Sequence, residues 1–508
     1  MRVVVIGAGI GGLTAALRLA HAGLDVTVLE RAAHPGGKIR SVPVEGRAVE
    51  AGPTVFTMRW VLDEIFSECG ASLDDRVVLN PAAILARHAW GPDGHLDLFA
   101  DPRASRDAIG AFAGPREAEG YDRFRARAAA VYRTLEGPFI RGQRPSPFAL
   151  TRRAGLSGLG DLWRIQPFTT LWSALGDDFA DPRLRQLFAR YSTYCGASPF
   201  RAPATLMLVA HVESQGVWHV AGGLSALARA VADLAAERGA HLRYSAHVAR
   251  IVTDRAGVTG VDLDTGERLP AQAVICNADA AALADGLLGA EAARGAEPVA
   301  PGDRSLSAVT LCMNARAEGF PLLRHTVFFS GDYAAEFDGI ARGRLPADPT
   351  VYVCAQDRGD VAPGESGAER LLCLVNAPAG GTFTPSEIAT CTSALHRRLG
   401  ACGLKLTDTP ATVTTQPAEF GALFPGTGGA LYGRASHGWM ASFRRPGART
   451  AVPGLYLAGG SVHPGPGVPM AAQSGRLAAD RLLADRATAR ASTRRSAGAA
   501  TSGGMSTP

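Results

Sequence analysis

The sequence predicts an α/β fold centred on a Rossmann-like dinucleotide-binding sheet. Three observations point there. A β-branched run, Val3-Val4-Val5-Ile6, enters the turn Gly7-Ala8-Gly9-Ile10-Gly11-Gly12. Ile10, Leu13 and Leu17 then recur at helical spacing, and a second run, Val26-Thr27-Val28-Leu29, ends on Glu30. A continuous β-branched strand is the pattern of a parallel sheet covered on both faces. With 508 residues, 46% of them hydrophobic, the chain can bury a large core and divide into two or three domains.

Each part of the N-terminal unit has a physical task. Gly7 permits the tight turn, Gly9 lets backbone approach a pyrophosphate, and Gly12 lets helix and strand pack closely. The helix N-terminus presents free N–H groups to phosphate. Glu30, 18 residues after Gly12, can accept hydrogen bonds from both ribose hydroxyls. The next segment, from Arg31 to Gly36-Gly37-Lys38, separates FAD from NAD. Its glycines can lie along the FAD pyrophosphate and ribityl chain, with Lys38 near the negative charge. Only one clear GxGxxG occurs, which disfavours NAD chemistry. Gly52-Pro53-Thr54 is similar to the turn that flavoproteins place near the flavin.

Gly222-Gly223 opens a second helical pattern, and short strands follow, including Val248 to Thr253 and Ala273 to Cys276. The Val248 backbone is expected near the adenine. Late in the chain comes Leu455-Tyr456-Leu457-Ala458-Gly459-Gly460, where many flavoproteins have an Asp at the position of Gly460. Gly467-Val468-Pro469-Met470 then leads into a helix whose N–H groups can face the flavin N1–C2=O end. The expected organisation is a discontinuous FAD-binding domain of residues 1–60, 216–294 and 441–485. An inserted α+β substrate-binding and membrane-associating domain takes 61–215 and 295–440. Residues 486–508 are expected to be a disordered basic tail.

Composition excludes several classes. Four of the five net positive charges reside in Arg486, Arg490, Arg494 and Arg495, so the body is near +1 and unsuited to nucleic acid. The eight cysteines form no CxxC pair and have no His at metal-ligand spacing, so no metal is expected and the thiols read as reduced core residues of a cytoplasmic protein. Arg18 and His21 interrupt the apolar N-terminus, which reads as strand, turn and helix rather than a signal peptide. No stretch reaches the roughly 18 apolar residues of a membrane span.

The GxGxxG with Glu30 and Gly36-Gly37-Lys38, together with Leu455 to Pro469, resembles the phytoene desaturase, or carotenoid desaturase, family of FAD enzymes. The similarity covers about residues 1–485. Ala51-Gly52-Pro53-Thr54-Val55, Leu431 to Gly438 and Gly467 to Ala472 resemble the bacterial hydroxyneurosporene (methoxyneurosporene) desaturases. That resemblance implies a two-dinucleotide-binding flavoprotein fold of the glutathione-reductase/amine-oxidase type. It also implies FAD-dependent 3,4-desaturation of 1-hydroxyneurosporene or a related 1-hydroxycarotenoid, in spheroidene or spirilloxanthin synthesis in a photosynthetic bacterium. A hydride would pass to flavin N5 with loss of a proton from the next carbon. Oxygen or a quinone would reoxidise the flavin, and the enzyme would lie peripherally on the inner (photosynthetic) membrane.

His463 is the best-placed titratable residue for a catalytic role; shaping its turn is the equal alternative, and His437 is a similar case. Trp163, Phe168, Trp172, Phe179, Phe188, Tyr191 and Tyr194 offer aromatic surface for a carotenoid tunnel, and 162–175 could form an amphipathic membrane-facing segment. Phytoene desaturation and carotene isomerisation stay open on the same fold, as do amine and protoporphyrinogen oxidation. A prenyl-protein carrier of related fold is the non-redox alternative.

Overall fold

A computed structural model describes residues 1–91, 94–145, 168–359, 367–407 and 411–502. Its organising element is a five-stranded parallel sheet, ordered Leu455–Leu457, Ala273–Cys276, Arg2–Ile6, Asp25–Leu29, His241–Arg243. The central strand, Arg2–Ile6, is flanked on both sides, so its alternating faces both meet core: Val3 and Val5 pack with the helices, Val4 and Ile6 with the opposite layer. The helix layer holds Ile10–His21, Leu224–Glu237 and the long helix Val468–Ser502. A three-stranded antiparallel meander, Val248–Asp254, Gly257–Leu263 and Arg268–Pro270, covers the other face.

The first and last helices approach without side chains between them. A Cβ at Gly475 would sit 2.0 Å from the Gly11 carbonyl oxygen. The last helix runs on past Asp485 to Ser502, so the tail expected to be disordered from 486 is helical as far as 502. Arg and Ala are strong helix formers, and neither Gly nor Pro occurs between 476 and 497.

The rest of the chain forms a larger mixed sheet beside a helical layer. Its order is Lys405–Thr407, Ser307–Glu318, Glu369–Ala377, Val351–Ala355, His325–Phe328, Ile84–Ala89, His95–Phe99, with Thr412–Thr415 also paired to Ser307–Glu318. Period-two alternation divides this sheet into two functions. Val309, Leu311, Leu371, Cys373, Val375, Val351 and Val353 face the helix Pro385–Ala401. Thr310, Leu372, Leu374, Asn376, Tyr352 and Val327 face the opposite way, onto a cavity. The cysteines are all free, and every one but Cys195 is buried.

Candidate functional site

The carboxyl ends of the parallel strands open onto a cavity of about 1350 Å³ that continues across the larger sheet. A typical ligand pocket measures roughly 300–1,000 Å³, so the space accommodates a cofactor and a further long ligand. Of the expected cofactor residues, Gly7, Gly9, Glu30, Arg31, Gly36, Gly37 and Lys38 line it. So do Gly52, Pro53, Thr54, Val248, Gly459, Gly460, Gly467, Val468, Pro469 and Met470. Gly12 lies behind the loop, where a Cβ would meet the Gly7 carbonyl oxygen at 2.1 Å.

These pieces are bonded into one cradle. Gly36 N donates to Ala8 O at 2.8 Å, and Gly9 and Gly36 form a parallel bridge. Gly36 and Gly37 have φ of 125° and 61°, conformations that favour glycine. Glu30 accepts from Ala8 N at 2.7 Å and from Ala32 N at 2.8 Å. A carboxylate has about four acceptor positions, so both oxygens retain capacity for ribose hydroxyls. A glycine loop capped by a helix N-terminus, with this carboxylate beside it, fits an FAD adenosine and pyrophosphate.

Two residues that motif reading did not single out complete the cradle. Asn277, one residue beyond Ala273–Cys276, lies under the loop; a Cβ at Gly9 would reach its Nδ2 at 2.8 Å, and one at Gly459 its Oδ1 at 2.7 Å. Its position at a strand's carboxyl end beside the first strand is the available signal. Arg445 is buried and donates to the carbonyls of Tyr432 (2.9 Å), Gly460 (3.2 Å) and Arg434 (2.7 Å). Burial pulls its pKa down to about 10. It ties the backbone at Gly460, where other flavoproteins carry Asp, to the 432–434 segment. Lys38 is half-buried, donates to Leu431 O at 2.7 Å, and lies over the Phe424 ring; desolvation lowers its pKa. Arg31 reaches the carbonyls of Ala422 and Leu423.

His463 does not line the cavity, although Pro464 and Gly465 do. Its ring is 2% exposed, bonds Gly142 O through Nε2 at 3.0 Å and packs edge-on against Phe139. That placement favours the turn-shaping role. Burial pulls its pKa to about 4, and does the same for His437, whose Nε2 accepts from Ser198 N. Of the aromatics expected around a tunnel, Phe168 and Tyr194 line the cavity. Phe179, Phe188 and Tyr191 stack in the helical core, and Trp172 packs against it. Trp163 and the rest of 162–167 lie outside the described residues; within 168–175, Leu171 and Leu175 point into the core.

The chain matches the model of the flavin containing amine oxidoreductases over residues 10–483. It is 55% identical to the hydroxyneurosporene desaturase of Rubrivivax gelatinosus, covering 94% of this chain and 92% of that one. It is 45% identical to the hydroxyneurosporene desaturase of Cereibacter sphaeroides, covering 94% and 97%. Among solved structures, a wild-type putrescine oxidase bound to putrescine aligns with a TM-score of 0.58 at 15% identity, covering 95% of this chain and 99% of the other. At that identity the likeness concerns the fold.

Two measurements test the site. Glu30→Ala removes an ionised acceptor, and hydrogen bonds to charged groups contribute about 1.5–3 kcal/mol. FAD affinity, titrated by flavin fluorescence, is expected to weaken at least about tenfold; an unaltered Kd would remove Glu30 from the adenosine site. For His463, the unfolded chain binds more protons than the folded one between the ordinary histidine value near 6.5 and about 4. Stability therefore falls as pH drops through that window. His463→Gln is expected to reduce the slope of unfolding free energy against pH by up to about 1.4 kcal/mol per pH unit, read from urea denaturation between pH 7 and 4.5. An identical slope in the variant would show that the ring titrates normally.

Proposed function

The chain belongs to the flavin containing amine oxidoreductase family, and from that premise we propose that it introduces a C=C bond into a carotenoid, by 3,4-desaturation of 1-hydroxyneurosporene or a related 1-hydroxycarotenoid. It is an oxidoreductase with FAD as its cofactor. The observation that carries the substrate reading is the 55% identity to a hydroxyneurosporene desaturase along 94% of the chain. The apolar cavity walls support it, because a polyene offers few polar groups to bind.

Bound FAD supplies two-electron, hydride-accepting chemistry. The chain's own task is to hold the cofactor and align the substrate against it. The Gly7–Gly12 loop, Glu30 and the Gly36-Gly37 segment would hold the adenosine and pyrophosphate, and the N-terminus of Val468–Ser502 would direct N–H groups at the ring system. Leu372, Leu374 and Val327 present an apolar wall that excludes water. Removing an allylic hydride leaves a cation delocalised along the polyene, and the adjacent C–H becomes acidic. Positioning then contributes more than a strong base, consistent with a neutral His463 turned away from the cavity.

The proposal extends to a peripheral site on the inner membrane, with oxygen or a quinone as electron acceptor. No helix among the described residues is long and apolar enough to cross a bilayer. Phe168 and Trp439 are 64% and 44% exposed, stack edge-on at 5.3 Å and line the cavity. Aromatic rings suit a membrane–water boundary, and a carotenoid partitions into lipid.

Expression in a host that accumulates neurosporene and its 1-hydroxy derivative tests the substrate. The expected product is two mass units lighter and red-shifted, formed from the hydroxylated pigment. Conversion of phytoene instead would move the chain to the earlier desaturases, and no pigment change with flavin-loaded protein would end the carotenoid reading. For the membrane, the purified protein is expected to sediment with anionic phospholipid vesicles. A Phe168→Ser/Trp439→Ser pair is expected to reduce the bound fraction severalfold; equal binding by that variant would exclude the aromatic pair as the contact.

A further inference from the structure

A hydrocarbon chain needs no charged wall, yet the cavity is lined by a charged pair. Arg190 and Glu213 both line it, with side chains 5% and 4% exposed. Arg190 Nη2 lies 3.3 Å from Glu213 Oε2, and its Nε donates to His88 Nε2 at 3.0 Å. His88 Nδ1 faces Leu96 O at 3.2 Å, which fixes the neutral tautomer that leaves Nε2 as acceptor. Tyr191 donates to Glu213 from the core side. On the cavity side, Tyr194 accepts from Arg190 Nη1 at 2.5 Å and donates to Glu213 Oε1 at 3.2 Å. Burying such a pair carries a desolvation cost that packed apolar residues would avoid.

A second phenol stands nearby. Tyr352 projects from the large sheet into the cavity, flanked by its strand partners Val327 and Leu374. Its hydroxyl lies 2.7 Å from Thr54 Oγ1 and 2.7 Å from His325 Nδ1. Thr54 belongs to the Gly52-Pro53-Thr54 turn of the cofactor cradle, so this hydroxyl is anchored at the cofactor end of the cavity. Tyr352 and Tyr194 line the same cavity. A phenol has one donor and two acceptor positions. The Tyr194 hydroxyl, with Arg190 and Glu213 as partners, retains one acceptor position; the Tyr352 hydroxyl meets Thr54 and His325, with the Cys354 thiol beside it.

We propose that Tyr194 and Tyr352 form a subsite for the terminal hydroxyl of the carotenoid. The assignment rests on the desaturase reading above and deepens it. The substrate's oxygen is carried on C1, three bonds from C3, and the double bond forms between C3 and C4. An oxygen subsite that selects this bond must therefore lie beside the cofactor, which is where Thr54 anchors Tyr352. The Arg190–Glu213 pair holds the Tyr194 hydroxyl in place, and the apolar remainder of the chain runs past Leu206, Val209 and Val212 towards the exposed Phe168 and Trp439. Arg190 and Glu213 are positioning residues; the two phenols touch substrate.

The test uses the FAD-loaded full chain, with 1-hydroxyneurosporene and neurosporene as separate ligands in vesicles. Kd for each is read from quenching of flavin fluorescence, and kcat and KM are measured for the hydroxylated pigment. Wild-type protein is expected to bind the hydroxylated carotenoid about tenfold or more tightly, as for a hydrogen-bonded hydroxyl. Tyr194→Phe and Tyr352→Phe are each expected to shrink that ratio, and the double variant to bring it near one. Because the ratio compares two ligands on the same protein, partial loss of folded or flavin-loaded enzyme does not move it. A ratio that both variants leave intact, or a wild-type ratio of one, overturns the subsite while turnover preserves the desaturase reading. Wild-type protein that oxidises neither pigment overturns both.

Discussion

A Cβ on Gly475 would sit 2.0 Å from the Gly11 carbonyl oxygen, and one on Gly11 would sit 2.8 Å from the carbonyl oxygen of Ala471. The two helices that begin at the cavity therefore touch backbone to backbone. One belongs to the start of the chain and the other to its end, so this contact closes a site whose halves lie more than 450 residues apart. It brings Gly459, Gly460 and the N-terminus of the last helix against the Gly7–Gly12 loop. Asn277 fills the seam between the halves, within 3 Å of where Cβ atoms at Gly9 and Gly459 would be. Small residues at all of these positions follow from one geometric demand, the close approach of three backbones and a ligand.

The larger sheet applies a different rule to the same cavity. Each strand that faces it also faces a core, and alternation assigns successive residues to opposite tasks. Val309, Leu371, Val375 and Val353 secure the sheet to its covering helix. Thr310, Leu372, Leu374 and Tyr352 are then free to shape the cavity. A one-residue slip in any of these strands would exchange the two sets. The register pairs Tyr352 with Val327 and Leu374 in adjacent strands, which sets its ring between apolar side chains while its hydroxyl reaches Thr54 and His325.

What the sequence discloses follows from how local each feature is. The strand–glycine loop–helix unit was legible because strand, turn, helix and Glu30 follow one another closely in the chain, and each residue type answers a local backbone requirement. The late Gly459-Gly460 and Gly467 to Met470 segments were legible through family likeness. The Arg190–Glu213–Tyr194 cluster was not. Glu213 lies on a different helical segment from Arg190 and Tyr194, and nothing in a linear reading distinguishes Tyr194 from Tyr191, one facing the cavity and the other the core. The Thr54–Tyr352 contact joins residues 298 positions apart. His463 shows the opposite failure: its neighbours line the cavity, but its ring turns to Gly142. Motif position locates a backbone and leaves the direction of the side chain to packing.

The polar groups of the cavity sort into two kinds by what satisfies them. Arg445 and Lys38 donate to backbone carbonyls, so their charge is spent on joining segments of the cradle. Arg190 instead meets a carboxylate, an imidazole and a phenol, all side chains, and nothing in the backbone requires it there. A buried ion pair contributes little to stability by itself, since desolvation offsets its Coulomb attraction. What such a pair can do is hold a neighbouring dipole in a fixed direction within a medium of low dielectric. The dipole it holds is the Tyr194 hydroxyl, on the wall of a cavity whose remaining surface is largely hydrocarbon. A substrate of uniform apolarity could slide along such a wall. One oxygen at its end, met by a fixed hydroxyl, sets which carbon stops at the cofactor.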